Sequence, residues 1–235
     1  MGFKERYERT LEEVAARCRE AGRDPREVRV VAVSKTVGMD EIEDAVAAGA
    51  HDFGENRPDA LAEKRARLPR QTWHFIGNVQ SRRIPDIARD AALVHSLYQE
   101  RHVRKFESAA AGMGKVQDVL LEVNVSGEQS KSGLSASDAG EMLAVCGAFP
   151  HVRVRGLMTM APQGDLQAAR ACFEELARLR DALRRGLEPD RAAVFNELSM
   201  GMSEDWREGV AAGATIVRIG RALFDDAFEE GAPSH

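Results

Sequence analysis

After an opening amphipathic stretch, the chain alternates between short apolar runs and longer segments whose apolar residues recur every three or four positions. The opening stretch, residues 3–20, places Tyr7, Leu11, Val14, Ala15 and Cys18 on one face, which predicts a helix. Gly22 and Pro25 end it. Eight β-rich runs follow, at 30–34, 51–54, 72–76, 93–96, 116–125, 152–158, 194–198 and 215–219. Most are apolar without strict alternation, as parallel strands covered on both faces should be. Between them 39–48, 58–67, 135–148 and 166–183 read as helices. In the last, Leu166, Ala169, Phe173, Leu176, Leu179 and Leu183 form a stripe against charged neighbours.

Strand–helix alternation predicts a parallel sheet, and eight strands favour closure into a (β/α)₈ TIM barrel, of α/β class, with an extra N-terminal helix over 1–22. A doubly wound sheet is the alternative. It usually has fewer strands, and no glycine-rich dinucleotide fingerprint follows the first strand. The length of 235 residues suits one barrel domain over 1–235, with 229–235 expected to fray.

Composition narrows the function without naming it. A net charge of −5 argues against a nucleic-acid or anionic-membrane partner. The three cysteines, Cys18, Cys146 and Cys172, are odd in number, include no CxxC pair and fall in predicted helices. They read as small buried hydrophobes, with neither a disulfide framework nor a metal site implied. The first ten residues have no apolar signal-peptide core, and no run approaches the roughly 18 apolar residues of a membrane span. A cytoplasmic location is expected, and with no long apolar surface helix a monomer.

In barrels the chemistry sits at the C-terminal ends of the strands. The first apolar run closes on Lys35, where a lysine either caps the strand in solvent or, partly buried, becomes a nucleophile toward carbonyls. The second leads to Asn56, which either aims at a ligand or belongs to the turn before Pro58. His74, among bulky apolar residues, reads as a satisfied core histidine. Arg82 and Arg83 read as a solvated face. Residues 124–133 form a polar, glycine-containing loop carrying a second lysine, Lys131. Met158 and Met160 offer a soft apolar surface for a flat ring. After the seventh and eighth runs, Ser199, Gly201, Gly220 and Arg221 supply the hydroxyl, close backbone approach and N–H groups that a phosphate requires. Barrel closure sets the eighth strand beside the first, so a phosphate held there lies near Lys35. An amine beside a phosphate cradle is what pyridoxal 5′-phosphate (PLP) needs.

These residues sit in stretches that resemble the YggS/PROSC group of PLP homeostasis proteins. The matching stretches are Val31-Ala32-Val33-Ser34-Lys35-Thr36, Phe53-Gly54-Glu55-Asn56, Trp73-His74-Phe75-Ile76-Gly77, Ser130-Lys131-Ser132-Gly133-Leu134, Arg155-Gly156-Leu157-Met158-Thr159-Met160, Leu198-Ser199-Met200-Gly201-Met202-Ser203 and Val217-Arg218-Ile219-Gly220. The resemblance implies a single barrel similar to the N-terminal domain of alanine racemase, with Lys35 as the Schiff-base lysine. It further implies Ser199 and the backbone of Gly220 and Arg221 on the phosphate, Arg218 facing the pyridine nitrogen, and Asn56 and Met158 along the ring. The implied role is to bind and deliver PLP, with apo PLP-dependent enzymes as possible recipients and no firm enzymatic activity. The chain departs from the group at Asn78, where proline is common, and at Arg82-Arg83, where Asn-Lys is common. Those changes bear on that loop, not on the cofactor.

Two other functions compete, a PLP-dependent amino-acid racemase and a cofactor-free Schiff-base lyase. Racemisation needs acid–base groups on both faces of the substrate carbon. In the racemase relatives a tyrosine from a second domain supplies one, and the sequence shows no such domain after the eighth strand. Its tyrosines, Tyr7 and Tyr98, fall on the first helix and after the fourth strand. An arginine at the pyridine nitrogen cannot hand over its proton, which leaves the ring a poor electron sink. A lyase would leave the phosphate cradle to a substrate phosphate.

Overall fold

The computed structural model describes residues 2–128 and 132–228. The expectations for Lys131 and for the 229–235 tail lie outside those residues. Eight parallel strands close into a barrel in chain order. They are β1 (Arg29–Val33), β2 (Asp52–Glu55), β3 (Thr72–Phe75), β4 (Leu93–Leu97), β5 (Gln117–Glu122), β6 (Val152–Met158), β7 (Glu197–Ser199) and β8 (Ile216–Ile219). The closing seam pairs β1 with β8 from Arg29↔Ile216 to Ala32↔Ile219, which excludes an open doubly wound sheet. Helix α1 (Phe3–Glu20) precedes the barrel. The outer shell is α2 (Met39–Ala47), α3 (Pro58–Arg67), α4 (Ile84–Asp90), α5 (Glu100–Gly112), α6 (Ala136–Cys146), α7 (Leu166–Arg185), α8 (Pro189–Val194), α9 (Trp206–Ala211) and α10 (Arg221–Phe224).

Strand alternation divides the core in two. Outward side chains such as Phe53, Trp73, Phe75 and Val119 pack under the helices, in one cluster with Phe106 and Phe173. Burying each large side chain stabilises the fold by about 1.5–3 kcal/mol. Inward side chains Val31, Leu93, Leu120, Met158 and Ile216 form a separate plug inside the barrel. Two residues further along their strands, the inward positions turn polar with His95, Glu122 and Arg218, all buried. The boundary between plug and polar layer is the floor of the site.

Two expectations need correction. The buried face of α1 is Tyr7, Thr10, Val14 and Cys18, whereas Leu11 is 41% exposed. Thr10 can be buried because its hydroxyl donates to the Arg6 carbonyl, 2.8 Å away. The run at 194–198 is not all strand. Pro189 at the first turn and Asp190 open α8, which holds Val194 helical, and β7 starts only at Glu197.

Helix α1 packs on α2, α9 and α10. Arg6 Nε donates to the Leu223 carbonyl at 2.7 Å, and the rings of Phe3 and Phe224 lie 4.8 Å apart. All three cysteines are buried in helices and none forms a disulfide. Burial pushes the Cys146 thiol up to about 12. Among the described residues no cluster of His, Cys, Asp and Glu could hold a metal ion, and no helix is long and apolar enough to cross a membrane.

Candidate functional site

A cavity of about 400 Å³ opens at the C-terminal ends of the strands, and Lys35, Asn56, Met158, Arg218, Gly220 and Arg221 all line it. That volume lies within the usual range for small-ligand sites. Six of the seven residues expected at the cofactor are therefore brought together. Ser199 is the exception.

Lys35 lies two residues beyond β1 and is exposed, and its amine has no hydrogen-bond or ion-pair partner among the described residues. The backbone that carries it is fixed from below. Lys64 of α3 donates to the Ser34 carbonyl at 2.7 Å, to the Val37 carbonyl at 3.2 Å and to Glu55 Oε1 at 2.5 Å. The Ser34 hydroxyl donates to the same carboxylate oxygen at 2.7 Å. The loop is pinned on both sides of Lys35, while the amine keeps its side-chain freedom. Asn56 is placed by contact: a Cβ on Gly77 would lie 2.1 Å from the Asn56 carbonyl oxygen, so only glycine fits there. Gly220 does the same at the seam. A Cβ there would crowd Val33 at 3.3 Å, so loop eight packs directly on the strand that leads to Lys35.

Across the cavity, the N–H groups of Gly220 and Ala222 both point at the Ser203 hydroxyl oxygen, at 3.3 and 3.2 Å. Both donors are satisfied by that hydroxyl, and Ser203 and Gly220 line the cavity. The Arg221 guanidinium donates to Glu204 at 2.6 Å. Ser203 is the hydroxyl that sequence reasoning missed. Ser199, chosen instead, is the last residue of β7 and fully buried, away from the cavity lining. Its hydroxyl lies 2.9 Å from His95 Nδ1 and receives a hydrogen bond from Arg218 Nη1 at 2.5 Å. Strand alternation turns Ser199 into the barrel, while Ser203, beyond the strand end, is set by the loop.

Arg218 is 5% exposed, and its Nη2 donates to the Thr159 carbonyl at 3.0 Å. Burial lowers its pKa to about 10, against the opposing pull of Asp205 and Glu122, so it stays charged at neutral pH. Burial pushes the Glu122 carboxyl up to about 7, although Arg218 favours its ionised form. The Asp205 carboxyl is also raised by burial, although it accepts the Met202 N–H at 2.6 Å. His74 is a satisfied core histidine, as expected. It is fully buried, with Nδ1 2.9 Å from His95 Nε2 and Nε2 3.0 Å from Asp52 Oδ1. His95, Glu122, Glu55 and Lys64 were not singled out in the sequence; for the first three a polar residue in or at the end of an apolar strand was the only signal, and Lys64 looks like any other charged residue of α3. Arg82 is exposed, and Arg83 pairs with Asp59 and with Asp86.

Fold and site define a (β/α)₈ barrel with a lysine just beyond its first strand and a turn of backbone N–H groups just beyond its last. The alanine racemase N-terminal domain family matches residues 9–227, and the chain belongs to that family, among its pyridoxal phosphate homeostasis proteins. It is 40% identical over 232 residues to the pyridoxal phosphate homeostasis protein of Pseudomonas aeruginosa, covering 95% of this chain and 96% of the other. With its counterpart from Aquifex aeolicus it shares 35% identity, over 96% and 99% of the two chains. Among solved structures it resembles PipY of Synechococcus elongatus with PLP bound, at a TM-score of 0.77 and 30% identity, covering 90% and 99% of the two chains. An alanine racemase from Clostridium difficile shares the fold at a TM-score of 0.67 and 13% identity, with 93% of this chain covering 58% of that one.

Proposed function

We propose that this protein binds PLP as a Schiff base on Lys35 and acts as a carrier and buffer of the cofactor rather than as an enzyme of amino-acid turnover. One observation carries the reading: a lysine amine with no partner among the described residues and the Ser203–Gly220 turn line one cavity of suitable size. The lining fits the group. Lys35, Arg218 and Arg221 supply positive charge, Met158 and Ile76 supply apolar surface for a ring, and the loop-eight turn supplies donors. PLP contributes an aldehyde that condenses reversibly with a primary amine, releasing water. Lys35 would provide that amine. Ser203 and the N–H groups of Gly220, Arg221 and Ala222 would hold the phosphate, with Asn56 and Met158 along the ring. Arg218 would face the ring nitrogen. Ser199 would act beneath, through Arg218, instead of on the phosphate.

The carrier reading is supported by what the lining offers a bound amino acid. Arg218 has donors only and stays charged, so it cannot lend a ring nitrogen the proton that carbanion chemistry requires. Tyr7 is buried in α1, and the Tyr98 hydroxyl donates to Asn78 Oδ1 at 3.1 Å; neither lines the cavity. The open mouth would let water or an apo PLP-dependent enzyme take the cofactor back.

Borohydride treatment of the PLP-loaded protein should abolish its visible band and fix the label to the peptide holding Lys35. Label recovered on another lysine, with Lys35 unmodified, overturns the assignment. In the same preparation, deuterium exchange at Cα of L- and D-amino acids should stay far below about 1 per second, a modest enzymatic rate. Exchange at that rate or faster would make the racemase reading the correct one.

A further inference from the structure

Beneath the cavity four hydrogen bonds cross the barrel interior in series. Arg218 Nη1 meets Ser199 Oγ at 2.5 Å, Ser199 Oγ meets His95 Nδ1 at 2.9 Å, His95 Nε2 meets His74 Nδ1 at 2.9 Å, and His74 Nε2 meets Asp52 Oδ1 at 3.0 Å. The residues come from β8, β7, β4, β3 and β2. Of the five, Ser199, His95 and His74 are completely buried. Neither the Schiff base nor the phosphate requires this chain, and nothing in the proposed carrier function accounts for two buried histidines.

The bond directions follow from the two ends and from neutral imidazoles between them: a guanidinium has donors and no acceptor, and a carboxylate only accepts. Arg218 therefore donates to Ser199. The Ser199 oxygen has a second lone pair, so this end alone leaves His95 Nδ1 free to be bare or protonated; the carboxylate end decides it. A neutral His74 carries its hydrogen on Nε2 and donates to the Asp52 carboxylate, so its Nδ1 is bare. A neutral His95 then carries its hydrogen on Nε2 and donates to His74 Nδ1. Neutral rings above an acceptor-only Asp52 therefore set every tautomer, and the Ser199 hydroxyl is left as the donor to His95 Nδ1. Neutrality of both rings agrees with their surroundings. Burial lowers both imidazoles, His95 strongly, with His74 and Arg218 adding to the effect there.

We propose that Ser199, His95 and His74 are positioning residues: a one-way hydrogen-bond relay, anchored on Asp52, that holds the Arg218 guanidinium at the cavity floor as an obligate donor. Arg218 has no carboxylate within ion-pair distance among the described residues, and the relay gives it an indirect one at the far end of the barrel. Thr159 holds the second guanidinium nitrogen, so the plane of the group is set by two points. If the proposed PLP reading is right, on which this consequence rests, the relay obliges the pyridine nitrogen to accept and never to carry its own proton.

The relay can be tested without the cofactor. In the unliganded full-length protein labelled with ¹⁵N-histidine, long-range ¹H–¹⁵N spectra near neutral pH should show both His74 and His95 as Nε2–H tautomers. Spectra of His74→Asn and His95→Asn would assign the signals. An Nδ1–H tautomer or an imidazolium at either position overturns the proposal. The guanidinium signals of Arg218 should be resolved and slowly exchanging in the wild type, lost in Ser199→Ala and retained in Ser199→Thr. Arg218 signals unchanged in Ser199→Ala would remove the positioning role. After PLP loading, the visible band should shift in Ser199→Ala and not in Ser199→Thr. Wild-type protein that has the expected tautomers and takes up no PLP would sink the proposed function while leaving the relay standing.

Discussion

The molecule fixes its two central cations, Lys35 and Arg218, by different means. Outside the barrel wall a buried ion pair, Lys64–Glu55, grips the backbone on either side of Lys35 and leaves the working amine unrestrained. Inside the wall Arg218 is itself gripped, by neutral groups leading to a distant carboxylate. Under the proposed function the difference matches the tasks. A lysine that must reach a carbonyl and let it go needs a rigid base and a loose tip. An arginine that must present the same donors at all times needs a rigid tip. A direct carboxylate partner would fix Arg218 too, but it would place negative charge against whatever occupies the cavity.

Cutting the outer device should have the largest effect. Lys64→Met leaves Glu55 charged and fully buried without its partner, which should cost about 3–5 kcal/mol in urea denaturation. The double variant Lys64→Met/Glu55→Leu should recover much of that loss. It should still retain PLP poorly, because the Ser34 and Val37 carbonyls lose their anchor. Full PLP retention in the double variant would mean that the loop holds itself.

Glu122 sharpens the contrast, since it is a buried carboxyl beside Arg218 with neither device, and no hydrogen bond to it is present among the described residues. Its pKa in the fold, about 7, lies above its ordinary value of 4.5. The native state therefore holds a proton that the unfolded chain releases, and stability falls as pH rises between those values. The full difference is about 3 kcal/mol. Glu122→Gln should flatten that part of the pH profile and be more stable than wild type at about pH 8, with little difference at about pH 4. Parallel pH profiles for the two proteins would show that Glu122 is solvated or paired. The smallest effect belongs to the surface. Arg83→Ala removes contacts to Asp59 and Asp86 that are open to water, and no resolvable change in the denaturation midpoint or in PLP retention is expected.

Much of the architecture was legible in the sequence because strand and helix periods differ, and because glycines and prolines punctuate the chain. Where periodicity was thin, the reading slipped. Val194 and Phe195 look like the start of a strand, but Pro189 commits the segment to a helical turn that continues through Val194. In α1 the apolar count favoured Leu11, while the packing surface took Thr10, whose hydroxyl is satisfied within its own helix. The residues at the rim were legible for a different reason: Lys35, Asn56, Gly220 and Arg221 stand at strand ends, where a barrel puts its chemistry. Those below the rim were not. Ser199 and His95 face inward or outward according to strand phase and register, and a strand of three residues such as β7 gives the eye little phase to work with.

Two walls of the cavity come from the first and the last strand of the barrel. Lys35 leaves the first strand, the Gly220 turn leaves the last, and the two meet only where β1 and β8 zip together. The first helix ties off the same junction through Arg6 and Leu223, which are 217 positions apart in sequence. A ligand held by both Lys35 and the Gly220 turn can therefore be held only once β8 has been made and the ring has shut. A molecule bound across that junction works as a clasp. It favours only the closed ring, by RT ln(1 + [L]/Kd) when the unfolded chain has no affinity for it, so each tenfold rise in saturating ligand adds about 1.4 kcal/mol against reopening.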